Sequence, residues 1–312
     1  MFENSLKIYN RIKDNIRSVF RGNEFNIDLI LFGYLTNGHI LLQDFPGTGK
    51  TTLAKALAMS VRSDFKRIQF TPDLLPTDIT GVNIFNSAER KFQLQKGPVF
   101  TNILLADEIN RTTSRTQSAL LEAMEEKQVT IDGDIYTLDD DFFVIATLNP
   151  AELQGTYPLP ESQIDRFAMR FSLGYVSKDE EKSILEIVNP SKPLEFLKPC
   201  VTKEEIDKVR IDTVSVRIDE DIKDYIVEIV RRTREYKGVL IGASPRASIA
   251  IMKLSKIMAL SEGSDYVIPE YIEKLAPSVL NHRIILDQFV EDTSLKQENI
   301  IDNILKETPV PR

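Results

Sequence analysis

Short, largely apolar runs alternate with segments of helical periodicity through the first 173 residues. The runs predict strands that are buried on both faces, because a half-exposed strand would alternate apolar with polar residues. Helices are predicted between them, one from Gly49 to about Val61 and one to about Lys127, opened by a capping box of Ser114 and Gln117. The predicted strands are 39–42, 67–70, 100–107, 142–148 and 168–173. This order predicts an α/β fold with a five-stranded parallel sheet and helices on both faces.

Two segments interrupt this alternation, and both have the pattern of a β-hairpin. Val82 to Leu94 has β-like ends around a polar centre. Gln128 to Leu138 alternates apolar with polar residues and turns at Asp132-Gly133, a dipeptide that favours tight hairpin turns. The sequence therefore predicts two hairpin inserts in the α/β unit.

After Gly174 the pattern becomes helical. Two capping boxes are predicted, one from Ser177 and Glu180 and one from Thr202 and Glu205. Further helices are predicted over 219–236, 244–261 and 269–280, and residues 189–193 have the composition of an exposed connection. We therefore predict an α/β domain over residues 1–190, followed by a small all-α domain over residues 191–312.

Composition excludes several classes of protein without indicating a chemistry. The 312 residues are 42% hydrophobic and 28% charged, with a net charge of −8, which gives no general attraction to nucleic acid or anionic lipid. A lone cysteine, Cys200, cannot form an internal disulfide. The amino-terminal stretch lacks the apolar segment of a signal peptide, and no apolar run is long enough to span a membrane. A cytoplasmic protein without direct membrane insertion is expected.

The nine residues after the first predicted strand form a phosphate-binding motif that opens a helix. This context is what a P-loop requires, because backbone N–H groups and the positive helix end then face the phosphates. Lys50 is placed to bind the β- and γ-phosphates of ATP, and Thr51 to bind Mg²⁺. Asp44 stands where the usual motif has glycine, and we attribute this to the tolerance of aspartate for unusual backbone angles. The nucleotide-binding candidates are Asp44, Phe45, Pro46, Gly47, Thr48, Gly49, Lys50, Thr51 and Thr52.

A second candidate group follows two later strands. The strand ending in Asp107 and Glu108 predicts a Mg²⁺ ligand, acting through water, and a residue that polarises the attacking water. Asn149 follows the next predicted strand, so it is expected to orient the same water from the neighbouring strand end. Ligands of open α/β sheets bind at the carboxyl ends of the strands, where these side chains would meet.

Taken together, these motifs resemble the AAA+ superfamily of ATPases and, within it, the MoxR family. The similar motifs extend over nearly the whole chain and occur in the same order as in that family. They are DFPGTGKTTLAKALA (44–58), RIQFTPDLLPTDITG (67–81), GPVFTNILLADEINRT (97–112), TQSALLEAMEEKQVTIDG (116–133), ATLNP (146–150), YPLPESQIDRF (157–167) and GASPRAS (242–248).

The resemblance implies a role for two arginines beyond the core motifs. Arg166 matches the arginine finger, which reaches the nucleotide of an adjacent subunit, and Arg111 is a competing interface residue. Arg246 matches the second sensor of the helical lid, which would couple loss of the γ-phosphate to lid rotation. The family also implies ATP and Mg²⁺ as cofactors, a homo-hexameric ring, and a protein client or partner such as a von Willebrand factor A-domain protein.

Three alternatives remain open: a nucleic-acid-dependent motor, a magnesium-chelatase-like ATPase for metal insertion, and a scaffold that does not hydrolyse ATP. The charge of the two predicted hairpins bears on the first of them. Residues 71–98 carry three acidic and three basic side chains, and residues 127–141 carry one lysine against five aspartates, a net charge of −4. A nucleic-acid motor needs basic side chains to meet phosphates. The hairpins therefore favour a protein client.

Overall fold

The computed structural model describes residues 2–150, 157–187, 193–287 and 296–311. Its central sheet has five strands, all parallel, which confirms the predicted α/β architecture. Each predicted strand is present, although the run from Phe100 pairs only from Ile103. From one edge of the sheet to the other the strands are β2 (Phe65–Gln69), β5 (Ile103–Asp107), β8 (Phe143–Leu148), β1 (Ile40–Gln43) and β9 (Met169–Phe171).

Both faces of the sheet are buried along β1, β5 and β8, as their apolar sequences predict, whereas edge strand β2 leaves Lys66, Arg67 and Gln69 exposed. Side chains on one face of the sheet, such as Leu104 and Val144, form a hydrophobic cluster with α5 (Ser114–Glu126). Side chains on the other face, such as Leu105 and Ile145, join a larger cluster that includes α2 (Glu24–Leu35) and α3 (Lys50–Ser60). The alternation arises because successive residues of a strand point to opposite faces.

The larger cluster continues into a helical lid. Helix α1 (Glu3–Val19) links the two parts by packing against α3 on one side and against α8 (Lys203–Ser215) and α10 (Pro245–Ser261) on the other. The lid also contains a two-stranded antiparallel sheet, β10 (Val239–Ile241) with β11 (Ile285–Leu286), that the sequence did not predict. The other helices are α4 (Pro76–Thr80), α6 (Glu161–Ile164), α7 (Lys178–Ile187), α9 (Glu220–Glu235), α11 (Pro269–Leu280) and α12 (Gln297–Glu307). In the described part of the chain, no helix has the length and apolar character needed to cross a membrane.

The proposed domain boundary after residue 190 falls within residues 188–192, and the predicted exposed connection at 189–193 falls almost wholly there, outside the described residues. The capping boxes at Ser177 and Thr202 are confirmed by reciprocal hydrogen bonds to the side chains three residues later.

The capping box at Ser114 is wrong. Thr113 is the N-cap of α5 and Ser114 is already helical. The partner of the supposed box, Gln117, is buried, and its side-chain amide donates to the carbonyl oxygens of Ile109 and Thr112 at 3.0 and 3.2 Å. The S-x-x-Q pattern was accidental, because the glutamine is held by the turn before the helix.

Both predicted hairpins are present. The first pairs β3 (Gly81–Asn86) with β4 (Lys91–Lys96), and the second pairs β6 (Gln128–Ile131) with β7 (Asp134–Thr137). The second turns at Asp132 and Gly133, which both have positive φ, as its sequence predicts. A hydrogen bond of 2.9 Å from Asn83 to Asp132 joins the two hairpins near the second turn.

A run of three aspartates, Asp139 to Asp141, follows the second hairpin and has the composition of a solvated face, but it is not solvated throughout. Asp141 is buried and accepts hydrogen bonds from Arg210 and, at 3.2 Å, forms an ion pair with Lys203. Burial by itself would raise the pKa of Asp141, but the hydrogen bonds from these two cations outweigh it and lower the pKa. The hairpin itself, residues 128–137, therefore carries only the two charges of Asp132 and Asp134.

Candidate functional site

The loop between β1 and α3 has the geometry of a phosphate-binding loop. Gly47 and Gly49 have φ angles of 86° and 89°, in the left-handed region that side chains disfavour. Gly49 is the N-cap of α3, so the unpaired N–H groups of the first helical turn face the loop. The Nζ of Lys50 donates to the carbonyl oxygens of Phe45 and Asp44 at 2.7 and 3.3 Å. The loop is thus arranged to surround an anion.

A cavity of about 210 Å³ lies over this loop, at the carboxyl ends of the strands. All of the predicted nucleotide-binding residues line it except Phe45, whose ring stacks on that of Tyr175 with centroids 6.2 Å apart. The lining residues are Asp44, Pro46, Gly47, Thr48, Gly49, Lys50, Thr51, Thr52, Arg67, Gln69, Asp107, Glu108, Thr147 and Asn149. The structure therefore brings the loop, both acidic residues and the predicted asparagine to one place.

Asp107 is buried at the end of β5 and held by two neighbouring strands. Its Oδ1 accepts a hydrogen bond from the Thr147 hydroxyl at 3.1 Å, and its Oδ2 accepts one from Arg67 Nε at 2.6 Å. The donor set at this point is a carboxylate and the Thr51 hydroxyl. These hard oxygen ligands fit Mg²⁺, which takes few ligands from protein when phosphates and water supply the rest.

Glu108 is fixed in a left-handed backbone conformation, with φ of 57°. Its N–H donates to Thr147 at 2.9 Å, which holds the strained residue in place. Its Oε2 accepts hydrogen bonds from Gln69 at 2.7 Å and from Arg111 at 3.0 Å. Arg111 is therefore bound to the acidic group of its own site.

Asp44 has a role that its position in the motif did not indicate. It does not have a positive φ, so the expectation about unusual backbone angles is wrong. Its buried carboxylate accepts hydrogen bonds from the Ser172 hydroxyl and the Leu173 N–H, both at 2.7 Å, and from the Gly174 N–H at 3.1 Å. Asp44 thus ties the phosphate loop to the chain that leaves β9 toward the lid.

Replacing Asp44 with glycine would restore the usual motif, but we expect it to destabilise the protein. The change leaves the buried N–H of Leu173 without its acceptor, which costs about 2–4 kcal/mol together with the other lost bonds. Urea unfolding measures the change in free energy. Ser172→Ala is the control, since it removes one neutral donor and should cost only about 1 kcal/mol. Equal stability of Asp44→Gly and the unmodified protein would show that the carboxylate contributes nothing.

A larger and more apolar cavity, of about 980 Å³, opens from the other side of the phosphate loop. The sequence did not indicate it, because its walls come from the end of α1, the loop itself and the chain around α7. Residues that line it include Phe20, Arg21, Thr48, Tyr175, Val176 and Ile184. This cavity has the size and character to hold the base of a nucleotide whose phosphates lie on the loop.

Arg166 and Arg246 lie at the opposite end of the strands, the amino end. Arg166 is just before β9, and it lines a cavity of about 300 Å³ with Arg246 and with His39, which precedes β1. The phosphate loop follows the carboxyl end of β1, so the loop and the arginines are separated by the length of the strand, about 13 Å. Neither arginine lines the cavity over the loop. In this structure Arg246 therefore lies beside Arg166 and away from the phosphate loop of its own subunit, and its role as a second sensor stays a prediction.

A polar contact between core and lid helps to hold this placement. Asp165 Oδ2 accepts a hydrogen bond from the hydroxyl of Ser244, the N-cap of α10, at 2.9 Å. Its Oδ1 accepts one at 2.7 Å from Arg283, a buried arginine whose pKa is lowered by burial, against the effect of Asp165. These bonds hold the start of α10, and with it Arg246, beside Arg166.

Sequence reasoning missed Arg67 and Gln69, which contact the two acidic groups. A signal was present, because residues two apart on a strand share a face. The register pairs Gln69 with Asp107 across β2 and β5. The missing information was that β2 and β5 are neighbours in the sheet.

Comparison with known proteins agrees with this geometry. The model of the ATPase family associated with various cellular activities (AAA) matches residues 39–169, and that of the AAA lid domain matches residues 231–304. The chain is 48% identical to the uncharacterised protein YeaC of Bacillus subtilis over 96% of this chain and 93% of that protein. It is 37% identical to the chaperone MoxR1 of Mycobacterium tuberculosis, over 95% and 81% of the two chains.

A solved structure is also closely similar. The crystal structure of a proposed ATPase from Cytophaga hutchinsonii superimposes with a TM-score of 0.91 at 41% identity, covering 99% of this chain and 98% of that one. The match covers the sheet, the hairpins and the lid together. This chain belongs to the MoxR family of AAA+ ATPases.

Proposed function

We propose that the protein is a Mg²⁺-dependent ATPase that works as a ring, a homo-hexamer by family resemblance, and remodels or matures a protein partner. The observation that carries the proposal is the meeting of Lys50, Asp107, Glu108 and Asn149 over one cavity. Every side chain that the ATPase reaction requires within a subunit lies there, which argues against a scaffold that only binds nucleotide.

ATP would lie with its triphosphate on the loop and its base in the larger apolar cavity. Backbone N–H groups and Lys50 would bind the phosphates, and Thr51 would bind Mg²⁺ directly while Asp107 binds it through water. The metal would neutralise charge that develops on the β- and γ-phosphates. The 2.6 Å ion pair of Asp107 with Arg67 is compatible with this outer position, because the carboxylate need not leave Arg67.

Glu108 would polarise the attacking water, with Asn149 orienting the water from the neighbouring strand end. Gln69 and Arg111 hold the Glu108 carboxylate at 2.7 and 3.0 Å, so both set where it points. The reaction then needs positive charge on the γ-phosphate from outside this cavity. That charge is the contribution we assign to a neighbouring subunit.

Arg166→Ala is expected to lower ATP hydrolysis by about 100-fold or more, because an arginine finger stabilises charge on the transferred phosphoryl group. The defect lies in what the subunit offers its neighbour, and its own cavity is intact. Mixing Arg166→Ala with an excess of Glu108→Gln subunits should therefore restore part of the activity, measured as phosphate release. Normal hydrolysis by Arg166→Ala alone would instead favour Arg111 as the finger.

The partner is proposed to be a protein, and a von Willebrand factor A-domain protein is the class that family resemblance suggests. Exposed apolar side chains on the first hairpin, among them Ile84, Phe85 and Phe92, support contact with protein. The second hairpin adds two aspartates and no basic residue. Stimulation of ATP hydrolysis by DNA or RNA would contradict this proposal and favour the nucleic-acid motor.

A further inference from the structure

One carboxylate, that of Glu125 near the end of α5, lies between Arg166 and Arg246. Its Oε2 is 3.0 Å from Nε of Arg166, and its Oε1 accepts a hydrogen bond from Arg246. The exposed fractions of the three side chains are 33% for Glu125, 30% for Arg166 and 48% for Arg246. The group is therefore at the surface of the subunit, although three separate elements build it.

The backbones beside the two arginines are fixed independently of Glu125. Arg166 directly follows Asp165, and Arg246 lies two residues after Ser244. The Ser244 hydroxyl donates a hydrogen bond of 2.9 Å to the Asp165 carboxylate. Arg283 binds Asp165 from the lid side and also donates to the carbonyl oxygen of Phe167 at 2.7 Å. The two arginines thus start from anchored positions, and only their long side chains remain to be oriented.

Charge explains why a carboxylate is needed at this point. The residues lining the cavity include five cations and two anions in a chain whose net charge is −8. The cations are Lys127, Arg166, Arg246, Lys253 and Arg283, and the anions are Glu125 and Asp165. Two guanidinium groups repel each other at short range. A shared carboxylate offsets that repulsion and lets them converge.

The contact also leaves the binding geometry of the finger unchanged. Glu125 meets Arg166 at Nε, whereas bidentate binding of a phosphate can use the two terminal nitrogens of a guanidinium. An anchored, correctly aimed arginine loses less freedom when it binds than a mobile one does.

We propose that Glu125 is a positioning residue that orients Arg166 and Arg246 together toward the nucleotide of the neighbouring subunit. This inference rests on the proposed function, in which Arg166 acts on the adjacent site. In this proposal Glu125 acts only through the two arginines that it contacts. Core and lid then deliver their cations as one unit, since α5 and β9 belong to the core and α10 to the lid.

The test is Glu125→Gln, which keeps the shape and removes the charge. We expect kcat for ATP hydrolysis to fall about tenfold, since misdirected groups cost catalysis even when present. The Kd of the variant for a fluorescent ADP analogue should not change, because its own cavity is intact. Mixed with an excess of Glu108→Gln subunits, which have normal Glu125 and arginines, it should regain most of its activity per Glu125→Gln subunit. A general folding defect would not be repaired by a neighbour.

Glu122→Gln is the matched control, an exposed glutamate on the same helix that should keep the normal kcat. Normal or faster turnover by Glu125→Gln, or no recovery on mixing while Arg166→Ala does recover, would overturn the inference alone. Failure of Arg166→Ala itself to recover would instead overturn the proposed action in trans. Should Glu125→Gln not fold, Glu125→Asp tests the same point: it should have a lower kcat that mixing restores, and a normal kcat would refute the proposal.

Discussion

Replacing Lys50 with alanine is expected to weaken ATP binding by about 100-fold or more, equivalent to about 2.7 kcal/mol. In this structure the ammonium group donates to two carbonyl oxygens of its own loop, Phe45 and Asp44, which places it at the centre of the phosphate cavity. A bound phosphate would take over this cation, and among the described residues no other lysine lines the cavity to replace it. Removal of a charged partner at such a site costs about 2–5 kcal/mol.

Isothermal titration with ATP and Mg²⁺ measures this loss. Lys223→Ala is the control, because Lys223 is on the lid surface and pairs there with Glu220. Thermal unfolding of Lys50→Ala should show only a small change, since the lysine closes a loop and packs in no core. Unchanged affinity for ATP would mean that the backbone N–H groups alone hold the phosphates, and that the proposed site is wrong in its main cation.

Much of this site could be predicted because its parts are local in sequence. The phosphate loop is one continuous segment, and its glycines, lysine and threonine follow a buried strand directly. Asp107 and Asn149 each end a strand as well, and parallel strands bring their carboxyl ends to one edge. Alternation of strand and helix was therefore enough to place all three on the same cavity.

Other contacts could not be predicted, because they join distant parts of the chain. The hydrogen bond from Leu173 to Asp44 spans 129 residues, and that from Arg283 to Asp165 spans 118. Periodicity indicates which side of a strand is buried but not which residue faces it across the core. The buried pair of Asp141 with Arg210 was missed for the same reason, since a run of aspartates has the composition of a surface.

The same limit applies to the position of Arg246. Its sequence context correctly predicts a helix with Ser244 as N-cap and Pro245 in the first turn. The end of the sheet at which that helix begins depends on its packing against α1, α2, α8, α9 and α11 and on the hydrogen bond of Ser244 to Asp165. Local signals therefore predicted the element, and contacts with distant parts of the chain decided which cavity the arginine enters.

In the proposed ring, a subunit with its nucleotide cavity at the carboxyl ends of the strands and its paired arginines at the amino ends would be complete only in contact with a second copy. In a closed ring each interface would join the carboxyl ends of the strands in one subunit to the amino ends of the strands in the next. ATP hydrolysis should then increase with protein concentration as rings form.

Glu108→Gln is expected to keep ATP binding and to lose hydrolysis by about 10²–10⁴-fold, the contribution of a general base. Glutamine has the shape of glutamate, and its amide oxygen can still accept the hydrogen bonds that Gln69 and Arg111 donate to Glu108. The strained backbone, held by Thr147, is also unaffected. What disappears is the negative charge that polarises water, so the change separates binding from chemistry.

Because ATP persists in this variant, the ring should remain assembled, and gel filtration with ATP should show a larger species than with ADP. Phosphate release by Glu108→Gln at more than a tenth of the normal rate would show that another group activates the water. With hydrolysis blocked, we expect the proposed ATP-bound ring to retain its protein client. Affinity capture with Glu108→Gln and ATP, compared with Lys50→Ala under the same conditions, therefore identifies partners whose binding requires the nucleotide.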